Sequence, residues 1–394
     1  MMLEEQDEVM GVQSGFNGKR LKAARLYREL TISEVAKMSG VSKQAISQFE
    51  NSRVEPKLET LMKIMRTLEF PREYFYEDPK DKVVVGDTYF RSLSSTSNKE
   101  RLAQIESVKL LVAIYRGIDE YIAFPELNLY AVPENFDFDI ETLAQNVRKF
   151  WNLGNERILN LVNTLEKNGV IVSTRFTNGK KIDAYSQIEN INDKIVAVII
   201  LGDDKENAFR RNFSAAHELG HLLLDDFYDI EGMSKVEYKE MEDTMNRFAG
   251  ALLVPEEVYR TDLQTSTKTE LNFYIQMKKK YGVSAAALIV RARQLGEITA
   301  NQYQYLMKQL SQKGYKTCEP YDKETKQMQP RYLKEAMKMI IEEDKITGSE
   351  FLEVIAENGT SISEEIVENI LNLEKGYLKM NDGCGDVVTL ERRC

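Results

Sequence analysis

The chain of 394 residues contains two histidines, and both fall in one stretch of ten, AAHELGHLLL at 215–224. That spacing decides what this part of the chain must become. On a helix, positions i and i+4 share a face about one turn apart, so His217 and His221 point the same way and can hold one metal ion. Glu218, beside the first histidine, can then reach a water on that ion. The H-E-x-x-H pattern has a chemical reason. Zinc lowers the pKa of its water to about 7, and the glutamate takes the proton as hydroxide attacks a carbonyl. A catalytic centre of this kind uses three protein ligands and keeps one position open. The competing reading is an ordinary helix that carries two imidazoles. Against it stand the lack of any other histidine and a third ligand at a suitable distance downstream.

That ligand lies in YKEMEDTMNRFAGALLVP, 238–255, where Glu242, Asn246 and Ala249 share a helix face. Glu242 can supply the third ligand, and Asn246 can hydrogen-bond a liganding histidine. Small Ala249 and Gly250 would let this helix pack closely on the histidine helix. Glu240 and Asp243 compete for the ligand role, although Asp243 points about 100° away from Glu242 on a helix. Two imidazoles and one carboxylate favour zinc over manganese, one ion per chain.

The length suggests two or three domains. A 42 % hydrophobic and 29 % charged composition is that of an ordinary globular protein. The longest apolar runs, VVV at 83–85 and IVAVIIL at 195–201, fall far short of the roughly 20 residues that span a bilayer. The acidic start MMLEEQDEVM lacks a basic-then-apolar signal, so the expected location is cytoplasmic, with no membrane partner. Cys318, Cys384 and Cys394 show no C-x-x-C spacing and read as free thiols. The Gly-Cys-Gly at 383–385 reads as part of a flexible end.

A net charge of −10 argues against a whole-protein grip on nucleic acid. The charge is uneven, however. From Phe16 to Tyr76 there are 12 Lys and Arg against 7 Asp and Glu, which fits a small DNA-binding module attached to something else. The pattern there is a helix-turn-helix. A first short helix is expected over 32–39, capped by Thr31 or Ser33 and ended by Gly40, and a second over 42–51, capped by Ser42. Ala36, Val41 and Ile46 are small or apolar so that the two can pack. Lys43, Gln44, Ser47 and Gln48 then face outward, where Gln can read adenine and Lys can reach guanine or phosphate. Lys37, Arg53 and Lys57 are expected phosphate contacts. A fold of this kind can also serve protein contacts alone.

The rest of the chain reads as mainly helical with a small sheet, an α+β arrangement. A long helix is expected over 100–124, another near 138–150, and an amphipathic one over 156–170 that closes at Asn168-Gly169. Strand-like runs follow at 170–176, 182–188 and 194–201, and the histidine helix comes directly after them. The expected divisions are a flexible tail at 1–15, the helix-turn-helix domain at 16–78, a linker at 79–100, a metallopeptidase-like domain at 101–315 and a helical C-terminal region at 316–394.

Two families share these motifs. TISEVAKMSGVSKQAISQFENSRVEPKLETLMKIMRTLEF closely resembles the XRE, phage-repressor-like helix-turn-helix family. AAHELGHLLL followed by EDTMNRFAGALLVP resembles the ImmA/IrrE family of zinc metallopeptidases, with supporting pieces in WNLGNERILNLVNTLEKNGVIV, KIDAYS and YGVSAAALIVRARQLGEIT. This resemblance covers roughly 85–315, and YFRSLSS at 89–95 is similar to the junction between the two modules. It implies a zincin-like fold in which Glu242, with Asn246 four residues on, is the third ligand. Many relatives carry a second glutamate where Thr244 stands here. The resemblance also implies a regulatory endopeptidase that cleaves an XRE-type transcriptional repressor under stress, phage or mobile-element control. The expected partners are double-stranded DNA, the repressor and a second copy in a homodimer. KIVAVIIL is then expected to be an edge strand that pairs with the substrate backbone. A Tyr, an Arg or the metal alone would stabilise the oxyanion. The alternative is an antitoxin-like regulator whose zinc domain binds or senses a partner without cutting it.

Overall fold

A computed structural model describes residues 15–78, 98–175, 184–191, 194–202, 207–229, 232–325 and 327–380. The tail at 1–14, most of the expected linker with its YFRSLSS, and Cys384 and Cys394 lie outside the described residues. Cys318 is a free, exposed thiol. No helix among the described residues is long and apolar enough to cross a membrane.

The chain opens with four short helices, α1 (Gly18–Tyr27), α2 (Ile32–Ser39), α3 (Lys43–Glu50) and α4 (Leu58–Leu68), and the long α5 (Asn98–Asp119). Then come α6 (Ile140–Phe150), α7 (Leu161–Lys167), strands β1 (Val170–Arg175), β2 (Ala184–Ile191) and β3 (Lys194–Gly202), and α8 (Ala208–Leu224). The remainder is helical: α9 (Lys235–Leu253), α10 (Glu256–Asp262), α11 (Leu271–Tyr281), α12 (Ala285–Gln294), α13 (Ala300–Gln312), α14 (Tyr332–Glu342), α15 (Gly348–Glu357), α16 (Glu364–Leu371) and α17 (Tyr377–Met380). The mainly helical fold class with one small sheet agrees with the sequence patterns.

Packing divides the described chain into two units. The first is discontinuous and gathers 15–78, 98–122 and 337–380; the second is 123–336 and lies between its parts in the chain. This grouping differs from the expected boundaries. The long helix α5 and the last helices join the head, whereas 316–336 stay with the histidine-helix domain. Periodicity shows that a helix has an apolar face but not which partner covers it. In the first unit, Gly117 of α5 lets the Phe351 ring and Ile355 of α15 approach to 3.0–3.3 Å of where a Cβ would stand. Asn358 donates to Glu120 at 2.9 Å, and the Ser361 N–H donates to Glu77 at 2.7 Å.

The head follows its sequence signals. Thr31, not Ser33, caps α2: its hydroxyl accepts from the Glu34 N–H while Glu34 accepts from the Thr31 N–H. Gly40 ends the helix at φ 68°, a left-handed conformation that favours glycine. Ser42 caps α3. Ile46 and Val35 are fully buried, while Ala36 and Val41 are only half-buried. Arg25 of α1 meets buried Glu50 of α3 in a two-bonded ion pair at 2.5 and 2.9 Å.

In the second unit, α7 is shorter than the expected 156–170 because Asn160 caps it, its side chain accepting from the Asn163 N–H at 3.0 Å. It closes at Asn168 and Gly169. Gly169 sits at φ 78°, with the Glu126 carbonyl so close that any Cβ would collide. The sheet order is β1-β3-β2, with β1 parallel and β2 antiparallel to β3. β3 is therefore central, and the expectation that KIVAVIIL is an edge strand is wrong. Val196 to Leu201 are buried without interruption, as in a strand covered on both faces. Among the described residues, β1 and β2 are both edges, and β2 packs on α8.

Glu166 at the end of α7 receives the N–H groups of Arg331 and Tyr332 at 2.8 and 2.9 Å, at the start of α14. Burial pushes its carboxyl up to about 7. The native state thus binds a proton between pH ~4.5 and ~7 that the unfolded chain has released, so this group's stability contribution falls as pH rises through that window and levels off above it. Urea midpoints of Glu166→Gln across pH 4.5 to 7.5 should lack this decline, a difference of up to about 3 kcal/mol. Parallel profiles for parent and variant would refute it.

Candidate metal centre

α8 and α9 hold the centre. Asn207 caps α8, accepting from the N–H groups of Phe209 and Arg210 at 3.0 and 3.1 Å. Ser234 and Glu237 form a capping box at the start of α9. The two helices approach closely at Gly220, where a Cβ would stand 3.1 Å from the Phe248 ring and 3.2 Å from the Met245 sulfur. The small residue that permits this contact is therefore on the histidine helix. Ala249 is buried in the core, but Gly250 faces Arg291 and Gln294 of α12.

His217, His221 and Glu242 come together: one ligand atom from each lies within 4.8 Å of the others. The two Nε2 atoms are 3.2 Å apart. Glu242 places Oε2 3.4 Å from His217 Nε2 and Oε1 3.5 Å from His221 Nε2. Ligand atoms about 2.1 Å from a tetrahedral zinc stand roughly 3.4 Å from one another, so this donor set fits that ion. Glu240 and Asp243 do not join the cluster, although Asp243 lines the same cleft.

Each imidazole has a partner behind it. Asn246 Oδ1 is 3.1 Å from His217 Nδ1, and Asp225 Oδ1 is 2.9 Å from His221 Nδ1. With the Nδ1–H groups donating to these oxygens, both Nε2 lone pairs point at the shared position. Tyr238, one turn before Glu242, donates to its Oε1. Burial acts to lower the His221 pKa, but the Asp225 and Glu242 carboxylates outweigh it and lift it to about 10. Burial likewise acts to raise Glu242, and the two histidines outweigh it and hold its carboxyl well below the usual range. A metal ion takes the place of the proton on such a cluster.

Glu218 is 5 % exposed and at the cleft. Burial pushes its carboxyl up, opposed by both histidines. Fully buried Ser186 of β2 donates to Glu218 Oε2 at 2.7 Å. The cleft has a volume of about 1120 Å³ and runs from this cluster between α8, α9 and α12.

Asn246 was legible in the sequence; Asp225, Tyr238 and Ser186 were missed. Asp225 and Tyr238 stand four residues from His221 and Glu242, so helical spacing could have flagged them. Ser186 reaches Glu218 only through the packing of β2 on α8, for which no local signal exists. In the head, Lys37, Lys43, Gln44, Arg53 and Lys57 are exposed, while Ser47 and Gln48 are half-buried on α3.

Residues 167–293 match the family model of the IrrE N-terminal-like domain, peptidase family M78, and residues 21–75 match a helix-turn-helix family model. No curated protein matches the chain. The first match contains His217, Glu218, His221, Glu242 and Asn246, and the two modules stand in the order the sequence motifs indicated. These matches support a DNA-binding regulator with a peptidase-like segment in the same chain.

Proposed function

We propose that the protein is a DNA-binding regulatory zinc endopeptidase that cleaves a transcriptional repressor. The observation that carries the centre is the convergence of two imidazole Nε2 atoms and the Glu242 carboxylate, 3.2–3.5 Å from one another, beside a buried glutamate at an open cleft. His217, His221 and Glu242 would hold one zinc ion per chain. When bound, zinc supplies Lewis acidity that activates water and polarises a carbonyl. Glu218 accepts the proton of the attacking water and returns it to the leaving amine. Ser186 fixes one oxygen of that carboxylate, leaving the other for the water. Asp225 and Asn246 fix the imidazole orientation. The edge of β2, whose Ala184 and Tyr185 line the cleft, is where a substrate strand would pair. The head, residues 16–78, brings the peptidase to DNA through Lys43, Gln44, Ser47 and Gln48, with Lys37 and Arg53 on phosphates. The proposed setting is the cytoplasm, with a homodimer as the assembly.

Native mass spectrometry tests the centre. The parent chain should carry about one zinc per chain, and Glu242→Ala should lose it or hold it at least tenfold more weakly. A chain that takes up no metal when zinc is supplied would remove the enzymatic reading and leave the helix-turn-helix as the function.

A further inference from the structure

The metal cluster occupies one part of a longer cleft. Along α8, Phe209, Phe213, His217 and His221 recur every four residues and share one face. At 1.5 Å per residue, Phe209 stands about 12 Å along the helix from His217. The wall opposite this distant end comes from α13 and the stretch after it, which lie beyond the matched 167–293. Lys278 of α11 ties the two together. Its ammonium lies 4.4 Å from the Phe209 ring centroid, 2.7 Å from Glu319 and in contact with Asp322. Glu319 also accepts the N–H groups of Ala285 and Ala286 at the start of α12, at 2.8 and 3.1 Å. The wall is therefore a fixed part of the cleft. Its lining includes the apolar Phe209, Phe213, Val290, Met307, Leu310 and Tyr315, beside the polar Arg210, Lys316, Thr317, Glu319 and Asp322. Phe213, Val290, Met307 and Tyr315 are only half-buried, so each keeps surface for a ligand.

An extended peptide advances about 3.3 Å per residue, so 12 Å is a distance of three to four residues. We propose that this distal end of the cleft is a substrate subsite that takes a large apolar side chain about three residues from the scissile bond. The subsite rests on the metal-centre reading and is continuous with that centre through one helix face. Its selectivity is carried by residues outside the matched family segment, Met307 and Tyr315 above all.

The test uses the full chain loaded with cobalt and reads the visible band of the metal as hydroxamates bind. Acetohydroxamate, which has no arm, reports the metal centre alone. Tripeptide arms with Phe or Asp at the residue farthest from the hydroxamate report the distal end. The arms are built both with the hydroxamate at the C-terminus and as succinyl hydroxamates at the N-terminus, to cover both sides of the bond. In one of the two series the Phe probe should bind at least tenfold more tightly than the Asp probe. Met307→Glu should reduce that preference to within twofold while acetohydroxamate still binds. Tyr315→Asp serves in its place if that variant does not fold. Equal binding of Phe and Asp probes in both series, or an unchanged preference in the variant, overturns the subsite. Failure of cobalt or acetohydroxamate to bind the parent overturns the metal reading, and the subsite with it.

Discussion

Under the proposed function, Glu218→Gln should bind zinc as the parent chain does and cleave a repressor substrate about 100- to 10,000-fold more slowly. The substitution is close to isosteric, so it preserves the packing of a side chain that is only 5 % exposed. An amide oxygen still accepts the Ser186 hydroxyl, now at 2.7 Å from the carboxylate. What is lost is the ability to take a proton. None of the three proposed ligands changes, so metal content and thermal stability should stay near the parent values. Cleavage is followed on gels with a helix-turn-helix repressor as the test substrate, and zinc by mass spectrometry of the same sample. Retained zinc with cleavage within tenfold of the parent would mean that another group removes the proton.

The largest effect on stability is expected at Lys278. Its side chain is fully buried, with Glu319 and Asp322 as ion-pair partners and the Phe209 ring beneath it. Lys278→Met fills similar volume but leaves two buried carboxylates facing each other without their cation. Breaking a buried pair in this way costs about 3–5 kcal/mol. For a unit of this size that lowers the melting temperature by roughly 10 °C. Replacing all three together, as Lys278→Met with Glu319→Gln and Asp322→Asn, should recover part of the loss, because no uncompensated charge remains. Scanning calorimetry of both variants decides it; a single variant within about 1 kcal/mol of the parent would show that water reaches this cluster.

The sequence made the head and the candidate metal cluster legible because both depend on local spacing. Thr31, Gly40 and Ser42 act within one helical turn, and His217 and His221 meet by being four apart. Glu242 and Asn246 were readable as a pair on one face of α9. What escaped were relations set by tertiary packing. KIVAVIIL looked like an edge strand, yet its unbroken apolar run already carried the mark of a strand covered on both sides. Gly250 looked like the point of close approach, whereas Gly220 on the facing helix provides it. The partner of α5 was hidden because an apolar stripe is the same whether α15 or a peptidase helix covers it. Ser186 was invisible because a serine in a strand acquires meaning only from what the sheet packs against.

The first unit is split in the chain, with residues 123–336 between α5 and its last helices. On the ribosome this becomes an order of events in time. Synthesis proceeds at about 5–20 residues per second, so the helices that cover Gly117 emerge roughly 10–40 s after α5. The second unit is complete before the first is. A chain cut short after 336 would therefore carry the whole second unit and an unfinished first one, with the α5 face that Phe351 and Ile355 cover left to water or to chaperones.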